Sequence, residues 1–181
     1  PAVGVAVDQH RRAEIDAERP GILPVADALK QAVPSDTMIF SDMTQFAYAA
    51  KEVYPMDRPG HWHHPFGFGT LGYALPAAIG AKAACPDKVV VDVAGDGSIQ
   101  MNIQELMTAI ESKLDVKIVI LNNRFLGMVR QWQEFFYDKA YASTNMENAP
   151  DFVKLAEAYG AKGFKCEDPA KVEETLKLGL E

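Results

Sequence analysis

Apolar residues follow two patterns along the chain, short continuous runs rich in β-branched residues and longer stretches that repeat with the period of a helix. The short runs predict strands at residues 37–40, 88–94 and 116–121, with a weaker strand around Phe164. The longer stretches predict helices over residues 24–33, 45–54, 75–84, 101–113, 127–136 and 151–159, and from residue 169 onward. This alternation is typical of an α/β domain built on a mainly parallel central sheet.

Two segments lack either pattern. Residues 1–20 contain a polar stretch with little periodicity, which we interpret as a linker or the tail of a preceding domain. Residues 60–72 are rich in glycine and aromatic residues and have no period, so they predict a loop. The predicted folded domain therefore spans residues 21–181.

The composition of the chain excludes several classes of protein function. The 181 residues are enough for one domain with its own core, and a net charge of −7 argues against a nucleic-acid partner, which needs a cationic face. No apolar run is long enough to span a membrane, and no signal-peptide pattern opens the chain. The two cysteines, Cys85 and Cys166, are too few and too far apart for a disulfide framework or a zinc site. We expect a cytoplasmic domain.

Polar clusters follow two of the predicted strands. Gly95, Asp96, Gly97 and Ser98 follow the second strand, and an Asn122-Asn123 pair follows the third. Ligands of open α/β sheets bind at the carboxyl ends of the strands, and glycines let the backbone approach a bulky anion. Carboxylate and amide oxygens suit Mg²⁺, which completes its coordination with phosphates and water. These residues predict a diphosphate held through Mg²⁺, and their spacing does not fit a calcium EF-hand.

Gly95-Asp96-Gly97, followed after 24 residues by Asn122-Asn123, resembles the thiamine diphosphate (ThDP) motif of 2-oxoacid decarboxylases, carboligases and transketolases. Residues 95–106, 122–133 and 150–160 are further similar to the C-terminal cofactor domain of acetolactate (acetohydroxyacid) synthase catalytic subunits. The resemblance implies the ThDP-binding fold, a three-layer α/β/α arrangement. It also implies two cofactors, ThDP and Mg²⁺.

The resemblance implies a role for thirteen residues. Mg²⁺ would be bound by the side chains of Asp96 and Asn123 and by the backbone carbonyl of Phe125. The implied ThDP contacts are Thr44, Gln45, Gly69, Leu71, Gly95, Gly97, Ser98 and Met101. Gly69 and Leu71 would hold the aminopyrimidine through backbone groups, and Met101 would be wedged under the cofactor. Met128 and Trp132 match positions that line the substrate channel.

The resemblance also implies an activity and partners. The full enzyme would decarboxylate pyruvate and transfer the two-carbon unit to a second 2-oxoacid, as in branched-chain amino acid biosynthesis. The activating glutamate would come from a pyrimidine-binding domain of the same or a neighbouring subunit in a homo-oligomer. No catalytic residue is therefore expected in this chain, which alone should bind ThDP weakly and turn over little.

Several alternatives remain open. Residues 40–45 and 62–68 depart from the synthase pattern and look more like other 2-oxoacid decarboxylases, which favours a simple decarboxylase. A third alternative is a non-catalytic ThDP-binding module. His61, His63 and His64 could suggest a metal, although packing in a loop at the active site is the simpler interpretation. The aromatic run from Trp132 to Tyr137 suits a packed or partner-facing surface as well as a substrate site.

Overall fold

The computed structural model describes residues 2–181, and side chains from residue 4 onward. Its four strands are β1 (Met38–Ser41), β2 (Trp62–His63), β3 (Val90–Gly95) and β4 (Val116–Leu121). The first four helices are α1 (Ala2–Glu18), α2 (Ile22–Ala32), α3 (Gln45–Val53) and α4 (Ala74–Ala84). The later helices are α5 (Glu105–Glu111), α6 (Gly127–Phe136), α7 (Phe152–Tyr159) and α8 (Val172–Leu180). No helix in this part of the chain is long and apolar enough to cross a lipid bilayer.

The four strands form one parallel sheet in the order β2-β1-β3-β4. Five of the six residues of β3 are buried, because helices cover both faces of this central strand. Val91 and Val93 pack towards α2 and α3 on one face, while Val90 and Ala94 pack towards α4 on the other. The predicted three-layer α/β/α arrangement is confirmed. The strand order reverses between β1 and β3, which is where parallel α/β sheets open a crevice for ligands.

The first twenty residues contain a helix, where the polar pattern suggested a linker. Ile15 of α1 is buried against Leu23 and Ala49, and Arg11 pairs with Glu52 of α3. The helix is therefore held by contacts with α2 and α3, which the periodicity of its own residues does not encode. The domain boundary near residue 21 remains a prediction.

Three other elements differ from the sequence prediction. The predicted loop at 60–72 contains β2, which pairs with β1 at the sheet edge. The predicted helix at 101–113 divides into a 3₁₀ turn at Ile99–Met101 and α5, because Asn102 leaves helical geometry and donates to the carbonyl of Gly72. No strand forms around Phe164 in the described chain. There Gly163 lies so close to the backbone of Val153 that the segment packs on α7 and not on the sheet.

Candidate functional site

The loops after β1, β3 and β4 meet at the carboxyl edge of the sheet. A Cβ placed on Gly95, at the end of β3, would lie 3.4 Å from the Thr44 methyl group in the loop after β1. A Cβ placed on Gly127 would lie 3.4 Å from Asn123 Nδ2 and 3.9 Å from Gln45 Oε1. The fold thus gathers the sequence-predicted residues of three separate loops around the reversal point of the strand order.

Asp96 is the most deeply placed polar residue of this edge that the sequence singled out. It is only 2% exposed, and its Oδ2 atom has no hydrogen-bond partner among the described residues. Burial raises the pKa of the carboxyl group, and the backbone N–H groups of Arg124 and Gly97 partly counter that effect. A buried carboxylate oxygen without a partner is costly unless a cation or a donor reaches it.

The loop after β4 brings amide and carbonyl oxygens to the same place. Asn122 Oδ1 accepts the N–H of Arg124 at 3.2 Å, and Asn123 Oδ1 accepts the N–H of Phe125 at 2.9 Å. Arg124 adopts a left-handed conformation with φ 62°, so the two asparagine turns reverse the chain sharply beside Asp96. The loop is anchored where Leu126 N–H donates to the Thr144 carbonyl at 2.9 Å. The donor set of carboxylate, amide and backbone oxygens fits Mg²⁺.

The turn after β3 is tightly packed. A Cβ on Gly97 would lie 2.5 Å from Leu126 Cδ2 and 3.0 Å from the sulfur of Met146, so a side chain does not fit there. Ser98 Oγ accepts the N–H of Gly95 at 2.8 Å and closes the turn. The glycine therefore lets the turn after β3 lie directly against the loop after β4.

Residues 69–72 form a second wall of the site. Gly69 and Gly72 both have left-handed backbone angles, with φ 73° and 78°, and Leu71 is half-buried between them. A Cβ on Gly72 would lie 2.7 Å from Cβ of Met101, so the sequence-predicted Met101 packs directly against Gly72, the residue after Leu71. The Met101 side chain is 51% exposed beyond this contact. Its apolar surface thus lies next to the segment predicted to hold the aminopyrimidine.

The remaining sequence-predicted residues lie on α6. Met128 and Trp132 are one turn apart on this helix and are 37% and 60% exposed. The helix begins at Gly127, beside Asn123 and Gln45, so its first turn borders the site. The aromatic residues at the end of α6 are also exposed: Phe135, Phe136 and Tyr137. α6 thus presents an apolar surface that the described chain does not cover.

The three histidines of residues 61–64 diverge and do not form a metal site. His63 stacks on Phe40 with ring centroids 4.4 Å apart, and His61 lies edge-on to Tyr54. His64 is buried, with Nδ1 at 2.8 Å from the Ser41 hydroxyl. Within residues 2–181 no three His, Cys, Asp or Glu side chains are grouped as metal ligands. Packing explains this cluster.

Sequence reasoning missed two residues that organise the site. Asp42 is 1% exposed and accepts the N–H of Ala74 at 2.9 Å, which holds the start of α4 against the loop after β1. Asn102 Nδ2 donates to the Gly72 carbonyl at 2.8 Å and fixes the second wall. Asp42 was detectable, since it follows a predicted strand as Asp96 does. Asn102 had no comparable signal.

Comparison with known proteins agrees with this geometry. The family described as "Thiamine pyrophosphate enzyme, C-terminal TPP binding domain" matches residues 42–181. The chain is 46% identical over 157 residues to the acetolactate synthase isozyme 3 large subunit of Escherichia coli K12. That alignment covers 87% of this chain and 27% of the relative. The large subunit of Porphyra purpurea is 53% identical over 118 residues, covering 65% and 20% of the two chains.

Solved structures have the same fold. The ThDP-dependent 4-hydroxybenzoylformate decarboxylase of Rhodococcus jostii RHA1 superposes with a TM-score of 0.79 at 30% identity, covering 87% of this chain and 30% of that one. Benzoylformate decarboxylase from Polynucleobacter necessarius gives 0.77 at 26% identity, covering 86% and 30%. The chain thus spans about a quarter of the length of the synthase relatives. It belongs to the family of C-terminal thiamine pyrophosphate-binding domains of thiamine pyrophosphate enzymes, whose cofactors are ThDP and Mg²⁺.

Proposed function

We propose that this chain is the diphosphate- and Mg²⁺-binding part of a 2-oxoacid carboligase of the acetolactate synthase type. The protein would decarboxylate pyruvate and transfer the two-carbon unit to a second 2-oxoacid. Its 46% identity to an acetolactate synthase large subunit supports the carboligase over a simple decarboxylase, for which the identities are 30% and 26%. The observation that carries the cofactor assignment is the buried Oδ2 atom of Asp96 at the carboxyl edge of the sheet, which has no hydrogen-bond partner in the part of the chain that the structure describes.

In this proposal the metal is held by three groups from two loops. Asp96 and Asn123 supply side-chain oxygens, and Phe125 supplies its backbone carbonyl. The carboxylate of Asp96 offsets the charge of the cation in a buried place where water cannot do so. The cation in turn neutralises the diphosphate, so the acidic edge becomes able to bind an anion.

The other predicted residues orient the cofactor and the substrate. Gly95, Gly97 and Ser98, with Thr44 and Gln45 across the crevice, enclose the diphosphate. Gly69, Leu71 and Met101 hold the aminopyrimidine end, supported by the contact between Met101 and Gly72. Met128 and Trp132 line the approach of the 2-oxoacid with exposed apolar surface. When bound, ThDP supplies the nucleophilic carbon and the electron sink that decarboxylation requires.

A second domain completes the site in this proposal. The activating glutamate belongs to a pyrimidine-binding domain of the same or a neighbouring subunit, and the enzyme is a homo-oligomer. The exposed aromatic side chains next to the site support this proposal, because a second domain would cover them. A cytoplasmic location fits the substrates proposed.

Calorimetric titration of ThDP into the purified chain tests the cofactor site. The titration is made once with Mg²⁺ present and once with EDTA in its place. Asp96→Ala should abolish the Mg²⁺-dependent heat, because the diphosphate then enters a buried edge without its neutralising cation. Asp87→Ala, which removes an exposed carboxylate from a turn, is the matched control and should bind like the wild type. Unchanged affinity of Asp96→Ala for ThDP would contradict the metal assignment.

Product analysis with the complete enzyme tests the reaction. A carboligase supplied with pyruvate should release CO₂ and form acetolactate. A simple decarboxylase should form acetaldehyde at the same rate as CO₂. If acetaldehyde were the main product, the protein would be a simple decarboxylase and not a carboligase. The assignment of the cofactor site would still hold.

A further inference from the structure

The guanidinium group of Arg130 on α6 lies over two aromatic rings beside the loop after β4. Its central carbon atom is 3.9 Å from the centre of the Phe125 ring and 5.1 Å from the centre of the Tyr141 ring. Arg130 and Phe125 are half-buried, and none of the salt bridges within residues 4–181 includes Arg130. A guanidinium group is attracted to the face of an aromatic ring at such distances. Arg130 is therefore held by the two rings and not by a carboxylate of the described chain.

The segment that contains Tyr141 is bound to the same helix. Gln133 lies one turn after Arg130 on α6, and its Nε2 group donates to the Ala142 carbonyl at 2.9 Å. Its Oε1 atom accepts the hydroxyl hydrogen of Thr144 at 3.0 Å. These two hydrogen bonds keep residues 141–144 against α6, so the Tyr141 ring stays next to the guanidinium group.

Hydrogen bonds also hold the backbone around Phe125 in place. The Phe125 N–H donates to Asn123 Oδ1 at 2.9 Å, and Phe125 pairs with Asn145 as an antiparallel bridge. The Arg124 carbonyl accepts the N–H of Met146 at 2.8 Å. No hydrogen bond of the described residues ends on the Phe125 carbonyl. That oxygen is therefore free to bind a ligand, while the chain next to it is fixed.

Mg²⁺ binds oxygen ligands at about 2.0–2.1 Å in a nearly octahedral arrangement, so it tolerates little displacement of a ligand. We infer that Arg130 is a positioning residue for the metal, because its contact with the Phe125 ring fixes the residue whose carbonyl would bind Mg²⁺. A rotation of the Phe125 backbone would pull the ring away from the guanidinium group, and the contact resists that rotation. Residues that orient a metal ligand in this way add to the affinity for the metal. The inference rests on the proposed function, which assigns the metal to Asp96, Asn123 and Phe125.

Titration of ThDP into the complete enzyme at a series of Mg²⁺ concentrations tests this role. Phe125→Leu keeps the backbone carbonyl but removes the ring, so it should raise the Mg²⁺ concentration required for half-maximal ThDP binding about five- to tenfold. Phe125→Tyr keeps the ring and should stay within about twofold of the wild-type requirement. Lys51→Met is the matched control, because it removes a cation on α3 that lies over two other rings, those of Tyr48 and Phe66. It should have the wild-type requirement. An unchanged requirement in Phe125→Leu would overturn the inference.

A double-mutant cycle shows whether Arg130 acts through the ring. Methionine keeps much of the length and apolar surface of arginine but has no planar cation, so Arg130→Met should raise the Mg²⁺ requirement about fivefold. In a Phe125→Leu background the same substitution should change the requirement less than about twofold, because the contact is already absent. A direct effect of the arginine charge on the metal would have the same size in both backgrounds. Equal fold-changes would therefore refute the positioning role.

Proton NMR of the metal-free chain tests the contact independently of the proposed function. The ring current of Phe125 should move the Nε–H resonance of Arg130 upfield of its ordinary position, and Phe125→Leu should move it back. A wild-type resonance at the ordinary position would overturn the inference, because the guanidinium group would then not lie over the ring. If the resonance is shifted but the wild-type enzyme binds no ThDP at any Mg²⁺ concentration, the proposed function is refuted together with the metal role. The contact between Arg130 and Phe125 would still stand.

Discussion

Gly97 shows how closely single residues determine the geometry of the site. A methyl group at this position would overlap Leu126 and the sulfur of Met146, so Gly97→Ala must push the loops after β3 and β4 apart. We expect a loss of about 1–3 kcal/mol in the free energy of unfolding, measured by urea denaturation.

Gly80→Ala is the matched control for this substitution. Gly80 is exposed within α4, and a Cβ there would contact nothing within 4 Å. It should stabilise the protein by about 0.5–1 kcal/mol, because alanine favours the helix. Equal stabilities of the two variants would show that the contact between the loops is loose.

His64 gives the stability a dependence on pH. Burial, together with the nearby charge of Lys51, lowers the pKa of His64 from 6.5 to about 4. The unfolded chain therefore binds a proton between pH 6.5 and 4 that the folded chain rejects, so stability is complete above 6.5 and falls as the pH decreases through this window. The loss attributable to His64 is about 3 kcal/mol.

Urea denaturation at a series of pH values measures this effect. His64→Gln should lose less stability than the wild type between pH 6.5 and 4, because glutamine does not titrate. His10→Gln, at an exposed position of α1, should follow the wild-type curve. A wild-type curve that matches His64→Gln would mean that His64 takes up its proton in the folded protein.

Individual site residues differ in how far the sequence reveals them. Asp96 and Asn123 were predictable because a polar residue directly after a buried strand must lie at the carboxyl edge of a parallel sheet. Asn102 acts on Gly72, thirty residues earlier, through a hydrogen bond that no local pattern encodes.

At the scale of elements, the sequence pattern predicted the bounds of a helix or strand correctly where its periodicity agrees with the way the element packs. The strand at 116–121 and the helix at 127–136 have the predicted bounds. α1 and β2 were missed because neighbours stabilise them: α1 by contacts with α2 and α3, and β2 by pairing of only two residues with β1. An element whose stability comes from tertiary contacts leaves little trace in its own sequence.

The docking of α1 is testable through its buried anchor. Ile15 is 1% exposed and packs against Leu23 and Ala49, so Ile15→Ala should lower the free energy of unfolding by about 2–5 kcal/mol. Val7→Ala, at a 63% exposed position of the same helix, should change it by less than about 0.5 kcal/mol. Similar small effects in both variants would indicate that α1 is a detached segment in solution.

On the scale of the whole molecule, large apolar side chains border the carboxyl edge of the sheet from two sides. Phe66 and Phe68 follow β2 and are 71% and 95% exposed, and Trp132 and Phe136 on α6 are 60% and 72% exposed. Exposed apolar surface of this kind usually marks a contact with another protein surface. In the proposed enzyme the pyrimidine-binding domain would cover it and exclude water from the cofactor.

Complementation with a separately produced pyrimidine-binding domain tests this arrangement. Phe68→Ser should weaken association of the two parts about tenfold, since removing a central aromatic side chain of an interface typically costs that much or more. The fold of the Phe68→Ser variant should be unaffected, because the Phe68 side chain is 95% exposed. Val7→Ser provides an exposed apolar control on α1, away from the loops of the site. If turnover saturates at the same domain concentration in Phe68→Ser and the wild type, the partner contacts a different surface, and the aromatic residues after β2 need another explanation.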